Sequence, residues 1–192
     1  DMLTGNAGVD TLEGLAGSDT LTGGVDADIL RGGQGDDVYL FEDNWGADKV
    51  TELAEAGNDA IDLKAIDENI SINVKDRSIA GGGIFVDATA TDTIRDETGD
   101  GAKYIERIIL GDFEKTYSLT FNDDWAKGLQ GSDKKQKRTL SIYGVDATGA
   151  IKVIDVAAKV TLDFSAVTAD LVFKIDALGL LTVSDVSPAG HV

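Results

Sequence analysis

Along the first forty residues the apolar side chains recur with a period that fits neither an amphipathic helix nor an isolated strand. Leu3, Leu12, Leu21, Leu30 and Tyr39 stand nine residues apart without a slip, and Asp1, Asp10, Asp19, Asp28 and Asp37 keep the same period two places earlier. Between them lie the blocks GNAGVD, GLAGSD, GGVDAD and GGQGDD, at 5–10, 14–19, 23–28 and 32–37. A unit this small cannot bury its own apolar face, so a strict period predicts a stacked solenoid. Each unit reads as a six-residue glycine-rich turn followed by a three-residue strand. With two units per coil, residues 18 apart become neighbours: Asp10 faces Asp28, and Asp19 faces both Asp1 and Asp37. The five periodic apolar side chains then form one ladder inside a narrow parallel roll.

The register weakens after residue 40. DNWGADKVT at 43–51 keeps Gly46, Asp48 and Val50 after a two-residue slip at Phe41 and Glu42, and AEAGNDAID at 54–62 keeps Gly57, Asp59 and Ile61. Both read as degenerate closing turns. From residue 63 the pattern predicts strands at 70–74, 84–86, 105–110, 117–121, 139–143, 151–156, 160–164, 171–175 and 180–183, separated by turn signals at 100–101, 122–124, 148–149 and 178–179. Helical periodicity is absent apart from a short turn around Ala54 or Lys64. A longer repeat links the halves: FEDNWG at 41–46 returns as FNDDWA at 121–126, and 61–74 aligns without gaps to 162–175. The second copy carries an insertion that includes Lys134, Lys135, Lys137 and Arg138, and the units before it, GDFEKTYSLTF at 111–121, have lost the glycines. The expectation is an all-β chain. Residues 1–62 form a β-roll, and 63–192 form a strand-rich region, solenoid-like or sandwich-like, that contains a decayed second copy.

Charge narrows the partners. Residues 1–62 hold 15 acidic side chains against two basic ones, Arg31 and Lys49, and so carry −13 of the net −18. Such an excess repels nucleic acid and anionic membrane and attracts cations. No apolar run approaches a membrane span, and no cleavable leader opens the chain. Without cysteine there is neither a disulfide framework nor a thiolate metal site. The chain begins inside a repeat, which suggests a fragment of a longer protein.

The turns themselves point to the ion. Glycine tolerates φ > 0 and lets carbonyl oxygens turn inward with no Cβ in the way, and the closing aspartate adds a carboxylate. An all-oxygen donor set with tolerant geometry suits Ca²⁺, which takes six to eight oxygens, better than Mg²⁺ or a soft metal. The candidate ligands are the carboxylates of Asp1, Asp10, Asp19, Asp28 and Asp37, with Asp48 and Asp59 of the degenerate turns. Turn positions Gly5, Ala7, Gly14, Ala16, Gly23, Gly24, Gly32 and Gly33 join them. Stacked carboxylates repel one another when no cation lies between them, so the ion is expected to be part of the fold.

This nonapeptide resembles the repeats-in-toxin family, whose G-G-x-G-x-D-x-U-x unit winds into a Ca²⁺-loaded β-roll in secreted bacterial proteins. Asn6 and Leu15 replace the second glycine of their units, and Asp26 replaces the fourth-position glycine of the third. The blander reading, a flexible acidic linker, gives no reason for an aliphatic at every ninth residue. The resemblance implies a calcium-binding module, not an enzyme, of a secreted or cell-surface protein that folds on Ca²⁺ after export. The tandem, partly decayed units also look like the interior of very large repetitive surface proteins of Gram-negative bacteria. Its partners would be calcium ions and neighbouring domains of a larger chain. Two alternatives stand beside this. The chain is a non-catalytic accessory domain of a secreted protease, lipase or polysaccharide-modifying enzyme, or an adhesin segment whose second half takes a carbohydrate or surface ligand.

Other motifs add little. His191 lies at the frayed end, too isolated for a triad or a zinc site. Gly32-Gly33-Gln34-Gly35 lacks the Lys-Ser/Thr of a phosphate loop. Gly81-Gly82-Gly83 reads as a loop, the basic run 134–138 as a solvated one, and Trp45 and Trp125 as packing residues at equivalent repeat positions.

Overall fold

The computed structural model describes residues 1–53, 57–74, 83–99, 102–111, 116–122, 140–145, 151–152, 159–166, 171–175 and 181–185. The described residues form strands and connections, with no helix. The first strands are β1 (Met2–Ala7), β2 (Thr11–Ala16), β3 (Thr20–Val25), β4 (Ile29–Gln34), β5 (Val38–Glu42), β6 (Ala47–Thr51) and β7 (Asp59–Ala65). They alternate between two sheets. One runs β1-β3-β5-β7 and the other β2-β4-β6, all parallel. Met2 pairs with Thr20, Thr11 with Ile29, and Thr20 with Val38, an offset of 18. The slip at Phe41 and Glu42 then appears as Ile29 opposite Lys49, and Val38 opposite Ala60.

One sequence expectation is corrected. Each unit is a six-residue strand closed by a three-residue break, because the glycine-rich residues pair with the next coil as the apolar ones do: Asn6 lies opposite Gly24, and Leu15 opposite Gly33. The breaks are narrow because the second and fourth block positions take φ > 0. These positions are Asn6 and Gly8, Leu15 and Gly17, Gly24 and Asp26, and Gly33 and Gly35. The three departures from glycine thus keep the left-handed backbone, at φ 76° for Asn6, 74° for Leu15 and 80° for Asp26. Asn and Asp tolerate that region; the exposed Leu15 is strained there, by on the order of 1–3 kcal/mol.

The chain continues through β8 (Ile70–Val74), β9 (Ile84–Asp87), β10 (Thr93–Arg95), β11 (Ile105–Leu110), β12 (Thr116–Asn122), β13 (Leu140–Val145), β14 (Ile151–Lys152), β15 (Lys159–Ala166), β16 (Leu171–Ile175) and β17 (Leu181–Asp185). Both sheets extend across residue 62. β11 and β13 add in parallel to β7, and β12 and β15 add in parallel to β8. Between β8 and β6 the antiparallel strands β9 and β10 fill the second sheet, and β10 runs parallel to β6. Antiparallel β17 and β16 finish the first sheet. Lys64, a candidate for a helical turn, lies in β7, while Ala54 is outside the described residues. So are the turn signals 100–101, 123–124, 148–149 and 178–179, strand residues 139, 153–156 and 180, the basic run 134–138, Gly81, Gly82, Trp125 and His191.

The core explains why the roll widens. Leu21, Leu30, Tyr39, Val50, Ile61 and Ile108 are fully buried, stacked one per strand, and Leu3 and Leu12 pack against them. Two residues further along each strand the next inward position is Gly5, Gly14, Gly23 or Gly32 in the repeats, but Phe41, Leu63 and Leu110 later. Where glycine stands there is room for little besides a carboxylate. Where Phe or Leu stands, burial of the second side chain adds roughly 1.5–3 kcal/mol. Trp45 is buried, edge-on to Phe41 with ring centroids 5.8 Å apart, and its indole N–H donates to Thr93 O at 3.3 Å.

Candidate metal centre

The aspartates form two ladders, one at each edge of the roll. The amide of Asp10 donates to Asp28 Oδ1 at 2.7 Å, Asp19 to Asp37 at 2.8 Å, Asp28 to Asp48 at 2.9 Å and Asp37 to Asp59 at 2.9 Å. At the start of the chain the amine of Asp1 donates to Asp19 Oδ1 at 2.5 Å. Each rung is closed by a backbone bond one residue on, such as Ile29 N to Asp10 O and Lys49 N to Asp28 O. The ladders run on past the repeats with altered partners. Asp59 N donates to Glu106 Oε2 at 3.0 Å, and Gly46 N donates to Asp92 Oδ1 at 3.0 Å.

One carboxylate oxygen per rung is therefore accounted for, and the other is not. Oδ2 of Asp10, Asp19, Asp28, Asp37 and Asp48 is buried with no hydrogen-bond donor. A buried carboxylate oxygen with no donor costs several kcal/mol unless a cation lies against it. Each of the first four Oδ2 atoms sits over the inward face of the first glycine of its own block. A Cβ built on Gly5 would lie 2.7 Å from Asp10 Oδ2 and 2.5 Å from Gly23 O; on Gly14, 2.7 Å from Asp19 Oδ2 and 2.6 Å from Gly32 O. On Gly23 it would strike the Asp28 carboxylate, and on Gly32 that of Asp37. Glycine keeps a cradle open in which carboxylate and carbonyl oxygens converge. That hard, all-oxygen set fits Ca²⁺.

The remaining sequence-derived candidates fall into place around this frame. Gly24 and Gly33 are left-handed backbone positions pressed against Asn6 O and Leu15 O of the coil before them. Ala7 and Ala16 end β1 and β2 and pair with Val25 and Gln34. Asp48 and Asp59, from the degenerate turns, stand in the ladders above Asp28 and Asp37.

Electrostatics record the strain of packing these charges together. Burial, then the neighbouring Asp10, raises Asp28; burial, then Asp19, raises Asp37. Burial pushes Asp48 up to about 8, with Asp28 and Asp92 adding to it, and Asp59 to about 7, with Glu106 and Asp37 adding. Glu52 was not among the sequence candidates. It too is buried, is pushed up to about 8 by that burial, and lies beside Asp37 and Asp59. Its sequence signal is positional: with the two-residue slip counted, 52 continues the series Gly14, Gly32.

No helix among the described residues is long and apolar enough to cross a membrane. No curated protein and no solved structure matches the chain. The family model of the RTX calcium-binding nonapeptide repeat matches in four copies at residues 4–39, the stretch that carries the glycine cradles and four of the five unpartnered aspartate oxygens. Residues 4–39 are four RTX calcium-binding nonapeptide repeats, and Ca²⁺ is the ion that repeats of this kind bind.

Proposed function

We propose that the chain is a calcium-responsive folding module of a secreted or cell-surface bacterial protein, disordered over its repeats at cytosolic calcium and folded after export. The observation that carries this reading is the set of five buried, unpartnered Oδ2 atoms stacked along both edges of a roll whose early strands bury one apolar side chain each. Ordering a residue costs about 1–2 kcal/mol of backbone entropy, which so thin a core does not offset while the carboxylates repel. Ions supply the difference. Extracellular sites with Kd of about 10⁻⁴ to 10⁻³ M are empty inside a cell and filled outside it.

The ligands we assign are the ladder carboxylates Asp1, Asp10, Asp19, Asp28, Asp37, Asp48 and Asp59, with carbonyl oxygens of the blocks they close. Ion-dependent order is assigned to residues 1–62. Beyond residue 62 the chain carries a net charge of −5, and β8, β9, β11 and β12 each bury at least two apolar residues, so the order of those strands is assigned to burial. The module's work is mechanical and conditional: it stiffens its part of a longer chain when calcium is present. Calorimetric titration of EGTA-treated protein with CaCl₂, followed by circular dichroism, tests this. Several equivalents should bind as β-signal appears; no heat and no spectral change would refute it.

A further inference from the structure

Glu52 is the residue that the repeat pattern leaves unexplained. At the twenty-residue offset of β4 and β6 it falls opposite Gly32, where the coil before has Gly32 opposite Gly14. A glycine there presents a backbone carbonyl to the cradle below, as Gly32 O does above Gly14. Glu52 instead turns its side chain inward, and only 6% of the residue is exposed. Its Oε2 accepts Leu53 N at 3.1 Å, and its Oε1 accepts the Tyr39 hydroxyl. That hydroxyl in turn accepts Gly32 N at 2.7 Å, so the ladder tyrosine fixes the glutamate over the glycine.

Three carboxylates meet at this point. One oxygen each from Asp37, Glu52 and Asp59 lies within 4.8 Å of the other two, and all three residues are buried. Asp37 Oδ2, fully buried and without a donor, is aimed into the cluster: a Cβ on Gly32 would strike Asp37 Oδ2, Glu52 Oε1 and the Tyr39 hydroxyl together. We propose that Asp37, Glu52 and Asp59 form a calcium site of their own at the end of the repeat array, in which a glutamate carboxylate replaces the glycine carbonyl of the repeat sites. The added negative charge raises affinity for a divalent cation above that of the repeat cradles, since ligand charge sets calcium affinity in oxygen sites. The site therefore fills first, and it pins the last repeat coil to β7, from which the repeats behind it stack. Tyr39 is a positioning residue for Glu52. This inference rests on the calcium reading proposed above.

The test is calorimetric titration of the full, EGTA-treated chain with CaCl₂, with circular dichroism at about 5 mM Ca²⁺, well above the Kd range of extracellular sites. Glu52→Gln keeps size and an acceptor oxygen and removes the charge. It should weaken the tightest class of sites about tenfold, as expected when a ligand charge is lost, while the remaining equivalents bind and the calcium-loaded spectrum matches wild type. Asp10→Asn, in a repeat cradle, should lose an equivalent and leave the tightest class untouched. If Glu52→Gln leaves the tightest affinity and the stoichiometry unchanged while Asp10→Asn does not, the Glu52 site is refuted and the calcium reading stands. If wild type takes up no calcium, both fall together. Should Glu52→Gln fail to reach the wild-type spectrum, Tyr39→Phe reads the same site: it keeps the three carboxylates and frees Glu52, and an unchanged tightest affinity there would overturn the proposal.

Discussion

Replacing Asp48 by Asn should stabilise the roll without calcium and stabilise it far less with calcium. Asp48 is buried, its Oδ1 accepts Asp28 N at 2.9 Å, and its Oδ2 has no donor. Burial pushes its pKa from 3.8 up to about 8. In the ion-free roll at pH 7 it is therefore mostly protonated, and taking up that proton costs about 4 kcal/mol relative to the ionised carboxylate of the unfolded chain, at roughly 1.36 kcal/mol per unit. Asparagine keeps the oxygen that accepts from Asp28 and removes that cost. In EGTA the variant should therefore be the more ordered protein. In about 5 mM Ca²⁺ that advantage should shrink by about 2 kcal/mol, because an ion bound with Kd of about 10⁻⁴ M contributes about that much per site, and the variant has lost a ligand. Urea titrations followed by circular dichroism, each in EGTA and in calcium, would measure both shifts. If Asp48→Asn destabilised the roll equally in the two conditions, Asp48 would be only a cap for the Asp28 amide, and the electrostatic argument would be wrong.

Three further outcomes are expected. Asp48 and Glu52 are pushed up to about 8 and Asp59 to about 7, mainly by burial. These folded values lie above the unfolded ones, so the stability they contribute through protonation is complete below about pH 4 and is lost as pH rises through 7 to 8. In EGTA the β-signal should fall across that window while calcium affinity rises; a flat profile would contradict the burial of these groups. Gly24→Ala forces a side chain onto φ 109° and into Asn6 O, whereas Gly8→Ala has φ 106° but nothing within 4 Å. In calcium the first should lose more than about 2 kcal/mol and the second only the strain of about 1 kcal/mol, by urea titration. Arg31 is solvent-facing and binds Glu13 at 2.8 Å and Glu97 at 2.7 Å, so Arg31→Ala should lower the urea midpoint only slightly, and less at high salt.

The sequence made the coil legible because three residue types repeat in one register, each for its own physical reason. Leu and Tyr fill the roll, glycine opens the cradle, and aspartate closes it. From that, the eighteen-residue stacking of β1 to β5 could be read directly, as could the slip at Phe41 and Glu42. Strand length was not legible, since glycine has a poor strand propensity and its backbone pairing leaves no trace in an apolar pattern. β10 escaped because its three residues carry a single apolar side chain, Ile94, and its place is set by Asp92 capping Gly46 N. Glu52 was hidden among 35 acidic residues. Only the register shows it standing where a glycine belongs, and only the fold brings it to Asp37, Asp59 and the Tyr39 hydroxyl. The strand-rich second part was legible as strands, but its return to the same two sheets depends on pairings such as Ile61 with Ile108 and Ile72 with Leu119, too far apart in sequence for a local pattern to specify.

The central claim is that the ion is part of the fold of the repeats, and the amides of Asp10, Asp19, Asp28 and Asp37 report on it, because each donates to an aspartate carboxylate in the next coil. Hydrogen exchange of these four amides, measured in excess EGTA and again in about 5 mM Ca²⁺, is the most direct test. The account predicts exchange at the unfolded rate in EGTA and protection in calcium, with amides of β11 and β12 changing far less. Equal protection of the four aspartate amides in EGTA and in calcium would contradict it, and would mean that the roll stands without its ions.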